Sequence, residues 1–439
     1  MPHLAPLAQH PLRRALNDEV HSRPPADAVA PMMVTQIALI TGETGADTER
    51  ALLRELAEEM GAGAPDGFGN HLALELGGLR LVWERHTEFS TYAVSRACGD
   101  GDRFDPARLG APFARPPLAD IPESWRARLP GEVLVGINLL AVPGRADEIE
   151  RHLGLVFGGN KVVGAGMSGG LAAAWTDFRL HDDRMSRIVV ANEGLRPGRL
   201  GRLVQRLLDV ETYRMMALLA FPLARELTPA LGAIERELAQ AAAETTRIKT
   251  LADEQALLAR LTALAARSEA LAARSHYRFA AARAYHQLVE RRIAELGEIK
   301  REGVQQIGTF MERRLGPAMR TCMAVAQRLE AVSARIARAS GLLDTRVELA
   351  LQEQNQKLLA SMEGRVRLQT RLQETVEGLS AVAISYYLVG LVAYVLKAVE
   401  KAGQPVDPTL ATGLLAPLVL AGAYLVVRQI RKRVTRAGG

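Results

Sequence analysis

The stretch GLSAVAISYYLVGLVAYVLK, Gly378 to Lys397, decides how the rest of the chain is read. Between Glu377 and Lys397 lie 19 residues without a formal charge, and a second run of 20 lies between Asp407 and Arg428. As a helix each run reaches about 28 to 30 Å, close to the thickness of a bilayer's hydrocarbon core. Core helices of globular domains rarely run this long without a charged residue, so two membrane spans are the expectation. Tyr386, Tyr387, Tyr394 and Tyr424 supply the amphipathic rings that favour a membrane interface.

Orientation follows from the basic residues. Arg365, Arg367 and Arg371 precede the first span, and Arg428, Arg431, Lys432, Arg433 and Arg436 follow the second. The loop between the spans carries Lys397 and Lys401, offset by Glu400 and Asp407. The excess of positive charge places both ends of the hairpin in the cytoplasm and the short loop outside. On the first span, helical spacing groups Ser380, Ile384, Tyr387, Leu391 and Tyr394 on one face, the candidate lining of any pore. Tyr386, Gly390, Ala393 and Lys397 form a second face, suited by its small residues to helix packing. Lys397, Glu400 and Asp407 would then stand at the outer mouth.

Upstream, a proline-free helix from Leu342 to Ser380 carries Val347, Leu351, Leu358, Met362 and Val366 on one stripe. Their eleven-residue offsets describe a nearly straight helix. Such a stalk needs a partner along its length. From Arg199 onward no strand is expected, with helix breaks at Pro222, around Thr228-Pro229 and around Gly316-Pro317.

The first half of the chain reads differently. MMVTQIALI (32–40) is a strand, ADTERALLRELAEEM (46–60) a helix, and HLALELG, LRLVWERH and EFSTYAVSR are three further strands. After a proline-rich connector from Asp105 to Pro130 the order returns. EVLVGINLLAV is a strand, RADEIERHLGLVF a helix, and NKVVGAGM, LAAAWTDFRL and SRIVVAN are strands. This predicts a duplicated β-α-β-β-β unit.

Composition excludes several classes. The chain has 439 residues, 48% hydrophobic and 24% charged, with a net charge of +6. Its 55 Lys and Arg are mostly interleaved with acids along helices, the pattern of solvated faces rather than of a nucleic-acid footprint. Cys98 and Cys322 stand far apart, which fits a reducing compartment and no disulfide framework. No apolar signal-peptide core opens the chain, and most of it is expected in the cytoplasm.

Motifs for chemistry are weak. GAGMSGG (164–170) has the spacing of a dinucleotide loop but leads into LAAAWTDF, a strand, so a glycine-rich hairpin is expected. Glu84, His86 and Glu88 alternate along a strand, as metal ligands can, though a solvated strand face is the plainer reading. HDDR (181–184) reads as a polar turn. In the arm, His10, Asp18, Glu19 and His21 are candidates for docking a partner or the neighbouring domain, or for converging on a metal. No nucleophile–histidine arrangement stands out, and no catalytic residue, cofactor or metal is assigned.

HPLRRALNDEVHSRPP, WERHTEFSTY, WTDFR, GRLVQRLLDVETYRMMALLA, RVELALQEQNQKLLASM and TVEGLSAVAISYY together resemble an uncharacterised family of bacterial membrane-anchored proteins. The resemblance spans nearly the whole chain and implies an inner-membrane location without an activity. The layout is also similar to the CorA magnesium-channel family, which implies a pentamer around the first span. That family carries Gly-Met-Asn after a tyrosine, whereas Tyr394 here precedes Val395, Leu396 and Lys397. A lysine there would repel cations in a pore.

The expected architecture is α+β: an arm (1–30), a duplicated α/β cytoplasmic domain (31–197), a helical region and stalk (198–377), a two-span hairpin (378–427) and a basic tail (428–439). Expected partners are the lipid bilayer, further copies of the chain and a cytoplasmic protein, with no nucleic acid. The expected function is a non-enzymatic, membrane-tethered scaffold or sensor. The alternative is an oligomeric ion channel or transporter without the Gly-Met-Asn motif.

Overall fold

Runs of β-branched and alternating residues become strands where they occur. The computed structural model describes residues 10–13, 27–42, 45–63, 69–99, 104–248, 250–401 and 407–437, with backbone alone from 430 on. Its strands are β1 (Met32–Ile40), β2 (His71–Leu76), β3 (Leu79–Arg85), β4 (Phe89–Ala97), β5 (Glu132–Pro143), β6 (Val163–Met167), β7 (Ala172–Thr176) and β8 (Ser186–Asn192). They form one eight-stranded sheet in the order β2-β3-β4-β1-β5-β8-β7-β6.

The two halves share neighbours but not direction. β1 lies beside β4 and β5 beside β8, with an antiparallel β1–β5 pair between them. β1 and β4 are antiparallel, whereas β5 and β8 are parallel. The last three strands of the second half therefore run opposite to their counterparts. The helix expected over 145–157 is two short ones, α3 (Ala146–Glu150) and α4 (Gly154–Phe157). Gly154 marks the break, since a glycine adds little to helix continuity.

Both faces of the sheet are covered. On one, α5 (Pro197–Leu218) sets Leu200, Leu203 and Leu207 against Val34, Ile137, Leu139 and Val190. On the other, α1 (Ala46–Glu59) packs Leu52, Leu53 and Leu56 with Trp83 and Tyr92 in the first half. In the second half, Ile149, Val156 and Phe157 meet Trp175 there. The proline-rich connector is part of this core rather than a spacer. It makes three short 3-10 turns and α2 (Glu123–Arg126), and buries Leu109, Phe113 and Trp125. Trp125 Nε1 donates to Leu52 O at 2.6 Å. A buried carboxylate pins α1 to the sheet: Glu49 accepts from Tyr92 Oη at 2.8 Å and Ser90 Oγ at 3.0 Å, and pairs with Arg85.

The helices after the sheet run through the prolines expected to stop them. α6 (Ala220–Thr245) begins two residues before Pro222, where a proline has no intrahelical bond to lose. Pro229 lies inside α6 and Pro317 inside α8 (Ile307–Lys401). Tertiary packing explains this. In α6, buried residues recur at alternating steps of four and three: Ala220, Ala224, Leu227, Leu231, Ile234, Leu238 and Ala241. α8 repeats the spacing from Met311 through Leu315, Ala318, Cys322, Val325 and Leu329. α7 (Leu251–Leu296) joins both, through Arg274–Glu226 at 2.7 Å, Arg267–Glu237 at 2.8 Å and a Ser268–Ser333 hydrogen bond at 2.8 Å.

The chain divides into two compact units, Met1–Arg247 with Ala259–Ser340, and Ile248–Leu258 with Gly341–Gly439. The second contains the rest of α8 and α9 (Pro408–Ala437). Near its start Leu257 and Leu343 are buried and Arg346 pairs with Glu254 at 3.1 Å. Farther along, the stripe residues Leu351, Leu358, Met362 and Val366 are exposed, and Val347 is half-buried.

Three helical stretches are long and apolar enough to cross a membrane: Pro197–Thr245, α8 and α9. The first differs in kind, because 33% of its most apolar window is buried inside the protein, against 6% for the other two. Its apolar face is spent on the sheet and its helical neighbours, and it buries Asp209 and Glu211. On the two charge-free runs only Ser385 and Ala423 are buried among the described residues.

Candidate functional site

Strand register sets the residues of one sheet face in rows. Glu75, Arg80, Ser95 and Val34 form one row, and Ala73, Val82, Ala93 and Gln36 the next. His71, Glu84, Thr91 and Ala38 form the third. Three of the four residues in the middle row, Ala73, Val82 and Ala93, have short side chains, and Gly201 and Val204 of α5 line the same space. Side chains do not fill the gap. A cleft of about 380 Å³ remains between the sheet, α5 and the end of α7.

One end of the cleft is acidic. Asp209 receives Arg292 Nε at 2.8 Å and Gln205 Nε2 at 2.9 Å. Arg292 and Arg206 both also reach Glu295, at 2.9 and 3.1 Å. Burial pushes the Asp209 carboxyl up to about 6; Arg292 and Gln205 pull it back, and Glu84 adds to the rise. Glu84 lies 3.9 Å from His71 Nε2 through one oxygen and 3.9 Å from His86 Nε2 through the other. The opposite end offers donors. Arg80 Nη1 donates to Glu75 at 3.1 Å, while its Nε is buried with no hydrogen-bond partner among the described residues. The carboxylate of Asp27 and the exposed Arg202 also line the cleft.

The alternation of Glu84, His86 and Glu88 thus has a different meaning from a solvated face. Glu84 and His86 are half-buried beneath α5. Glu88 turns away to α7, pairing with Arg278 and accepting from Tyr285 Oη at 2.9 Å. Burial first, and then Glu88, drives the Tyr285 hydroxyl far above its ordinary value. His86 stacks on Phe89 with centroids 4.2 Å apart. Among the described residues no three His, Cys, Asp or Glu side chains converge as a metal site.

GAGMSGG forms the antiparallel β6–β7 hairpin. Its glycines serve close packing: a Cβ on Gly164 would lie 2.4 Å from Ala174 O, and one on Gly166 3.3 Å from the Ile299 Cβ. HDDR is a turn closed by His181 N to Met185 O at 3.0 Å, and His181 pairs with buried Asp177 at 3.1 Å.

His10 is exposed, and Asp18, Glu19 and His21 lie outside the described residues. Ser380, Ile384, Tyr387, Leu391 and Tyr394 are all exposed. Lys397, Glu400 and Asp407 are exposed as well, and Asp407 caps α9 by accepting from Thr409 N at 2.9 Å. Asp209, Arg292 and Arg80 were not among the residues sequence reasoning selected. The available signal was a pair of acids, Asp209 and Glu211, beside the apolar positions of α5.

The family described as "Protein of unknown function (DUF3422)" matches residues 8–434. The chain belongs to this family. The DUF3422 match takes in the sheet, the cleft and both charge-free runs. No curated protein matches the chain.

Proposed function

We propose that this DUF3422 member is a non-enzymatic sensor or scaffold held at the bacterial inner membrane by a C-terminal hairpin. The observation that carries the reading is the exposure of two charge-free runs in a chain whose other unit is a well-packed α+β domain with a polar cleft. Exposed apolar surface on this scale is unfavourable in water and favourable in lipid. Half-buried Ala381, Val389, Val392 and Leu396, and Ala411, Ala416 and Val419, recur every three to five residues around Ser385 and Ala423. That pattern supports two spans each packed along one face, through Ala381, Ser385, Ala411, Ala416 and Ala423 together with larger apolar residues. The two β-α-β-β-β halves we read as copies of one unit, on the ground of their shared strand neighbours.

Self-association is part of the proposal. On a straight helix turning about 100° per residue, Val347, Leu351, Leu358, Met362, Val376, Ser380, Tyr387 and Tyr394 fall within a sector of about 60°. Two spans would hold every copy in the same orientation, so these faces would meet in register. A second reading, an oligomeric ion path with CorA-like topology, draws on the same exposed face. It is weakened by the absence of acidic residues from both spans.

The test is topology. Gly403→Cys should react with a membrane-impermeant thiol reagent added to intact cells, and Gly438→Cys should not. The reverse pattern would invert the orientation, and loss of the protein from the membrane fraction would end the reading.

A further inference from the structure

We propose that the cleft under α5 binds a small zwitterion of the ω-amino-acid type, its carboxylate at Arg80 and its ammonium at Glu84 and Asp209. This would supply the ligand for the sensor reading above; the binding itself is argued from the cleft alone.

Arg80, paired through Nη1 with Glu75, and the Glu84 and Asp209 carboxylates stand at separate places along the cleft. Arg80 brings a buried Nε–H with no partner among the described residues, which is costly unless something accepts from it. Four residues further along β3, Glu84 and the nearby Asp209 carry carboxylates. The basic groups at this acidic end are already engaged, Arg292 and Arg206 with Asp209 and Glu295, and His71 and His86 each 3.9 Å from Glu84. An anion there would have to break those pairs, whereas an ammonium would add to them. The raised carboxyl of Asp209 points the same way, since a bound cation offsets the penalty of burying its charge.

The middle of the cleft suits methylene groups. Ala73, Val82 and Ala93 form its floor, with Val204 and Leu208 from α5 above. Arg80 and Glu84 are separated along β3 by about 13 Å at 3.3 Å per residue. A six-carbon chain with a hydrogen bond at each end fits that gap. A volume of about 380 Å³ lies in the range of small-molecule sites.

The test uses the full chain in mild detergent and three probes: 6-aminohexanoate, hexanoate and hexylamine. Calorimetric titration should show 6-aminohexanoate binding about tenfold more tightly than either single-ended probe, the effect of one charge-assisted hydrogen bond. Arg80→Gln should abolish the preference over hexylamine, and Glu84→Gln the preference over hexanoate. Ala93→Phe fills the cleft and should remove binding of all three, with helicity by circular dichroism unchanged. If the native chain binds none of the probes, or all three equally, the proposal fails. It fails equally if Ala93→Phe folds and still binds 6-aminohexanoate. None of these outcomes depends on membrane topology, so the sensor's anchoring and its ligand stand or fall separately.

Discussion

At Asp209 a single carboxyl reports how the cleft is built. Its ordinary value of 3.8 rises to about 6, mainly through burial. The folded chain therefore binds more protons than the unfolded chain between these values. Stability falls as pH rises through that window, by about 3 kcal/mol once pH exceeds 6. Asp209→Asn mimics the protonated form. Relative to the native chain it should gain melting temperature between pH 4 and pH 6 and hold a constant difference above. Parallel melting curves for the two proteins would mean that Asp209 ionises in the fold as it does in water. This residue was hard to see from sequence, because an acid in a helix is ordinarily solvent-facing. Only the pairing with Arg292, 83 positions later, reveals its burial. Trp83 is more legible, since the alternation along β3 marks its buried face.

Elements were legible where local patterning and tertiary packing agree. MMVTQIALI and SRIVVAN match β1 and β8 residue for residue. The helix breaks at Pro229 and Pro317 failed as expectations because a heptad-spaced seam outweighs one missing hydrogen bond. Thr228 Oγ1, donating to Ala224 O at 2.7 Å, occupies a nearby carbonyl. The cleft depends on register between strands, which a one-dimensional pattern does not specify. The stalk gives the second prediction. Leu351 and Leu358 are exposed in the single chain, so replacing both by Glu buries no charge within it. The double variant should keep its helicity and lose apparent mass in mild detergent. An unchanged mass would show that this stripe is not where copies meet. Loss of helicity would place a partner for it inside the same chain.

At the scale of the whole molecule, the scaffold and channel readings part company in a flux measurement. Liposomes holding the native chain should pass little or no cation, and Leu391→Ser should stay equally silent. A robust native flux, raised further by Leu391→Ser, would favour the pore. One feature of the sheet bears on how such a chain comes to be made. Among the described residues no ninth strand lies beside β6; its outer edge is closed by Ile299 and Gln305, which bond to Gly166 and Gly164. Those two residues leave the ribosome long after β6 does, with the whole of α5, α6 and α7 synthesised in between. Until then the nascent sheet carries an open row of backbone donors and acceptors, the kind of edge that recruits other strands. The charge-free runs emerge later still, so under the membrane-anchored reading proposed above any insertion would follow delivery of the segment that seals the sheet. Chains released before Ile299 would lack that seal and should accumulate as aggregates rather than as a folded domain.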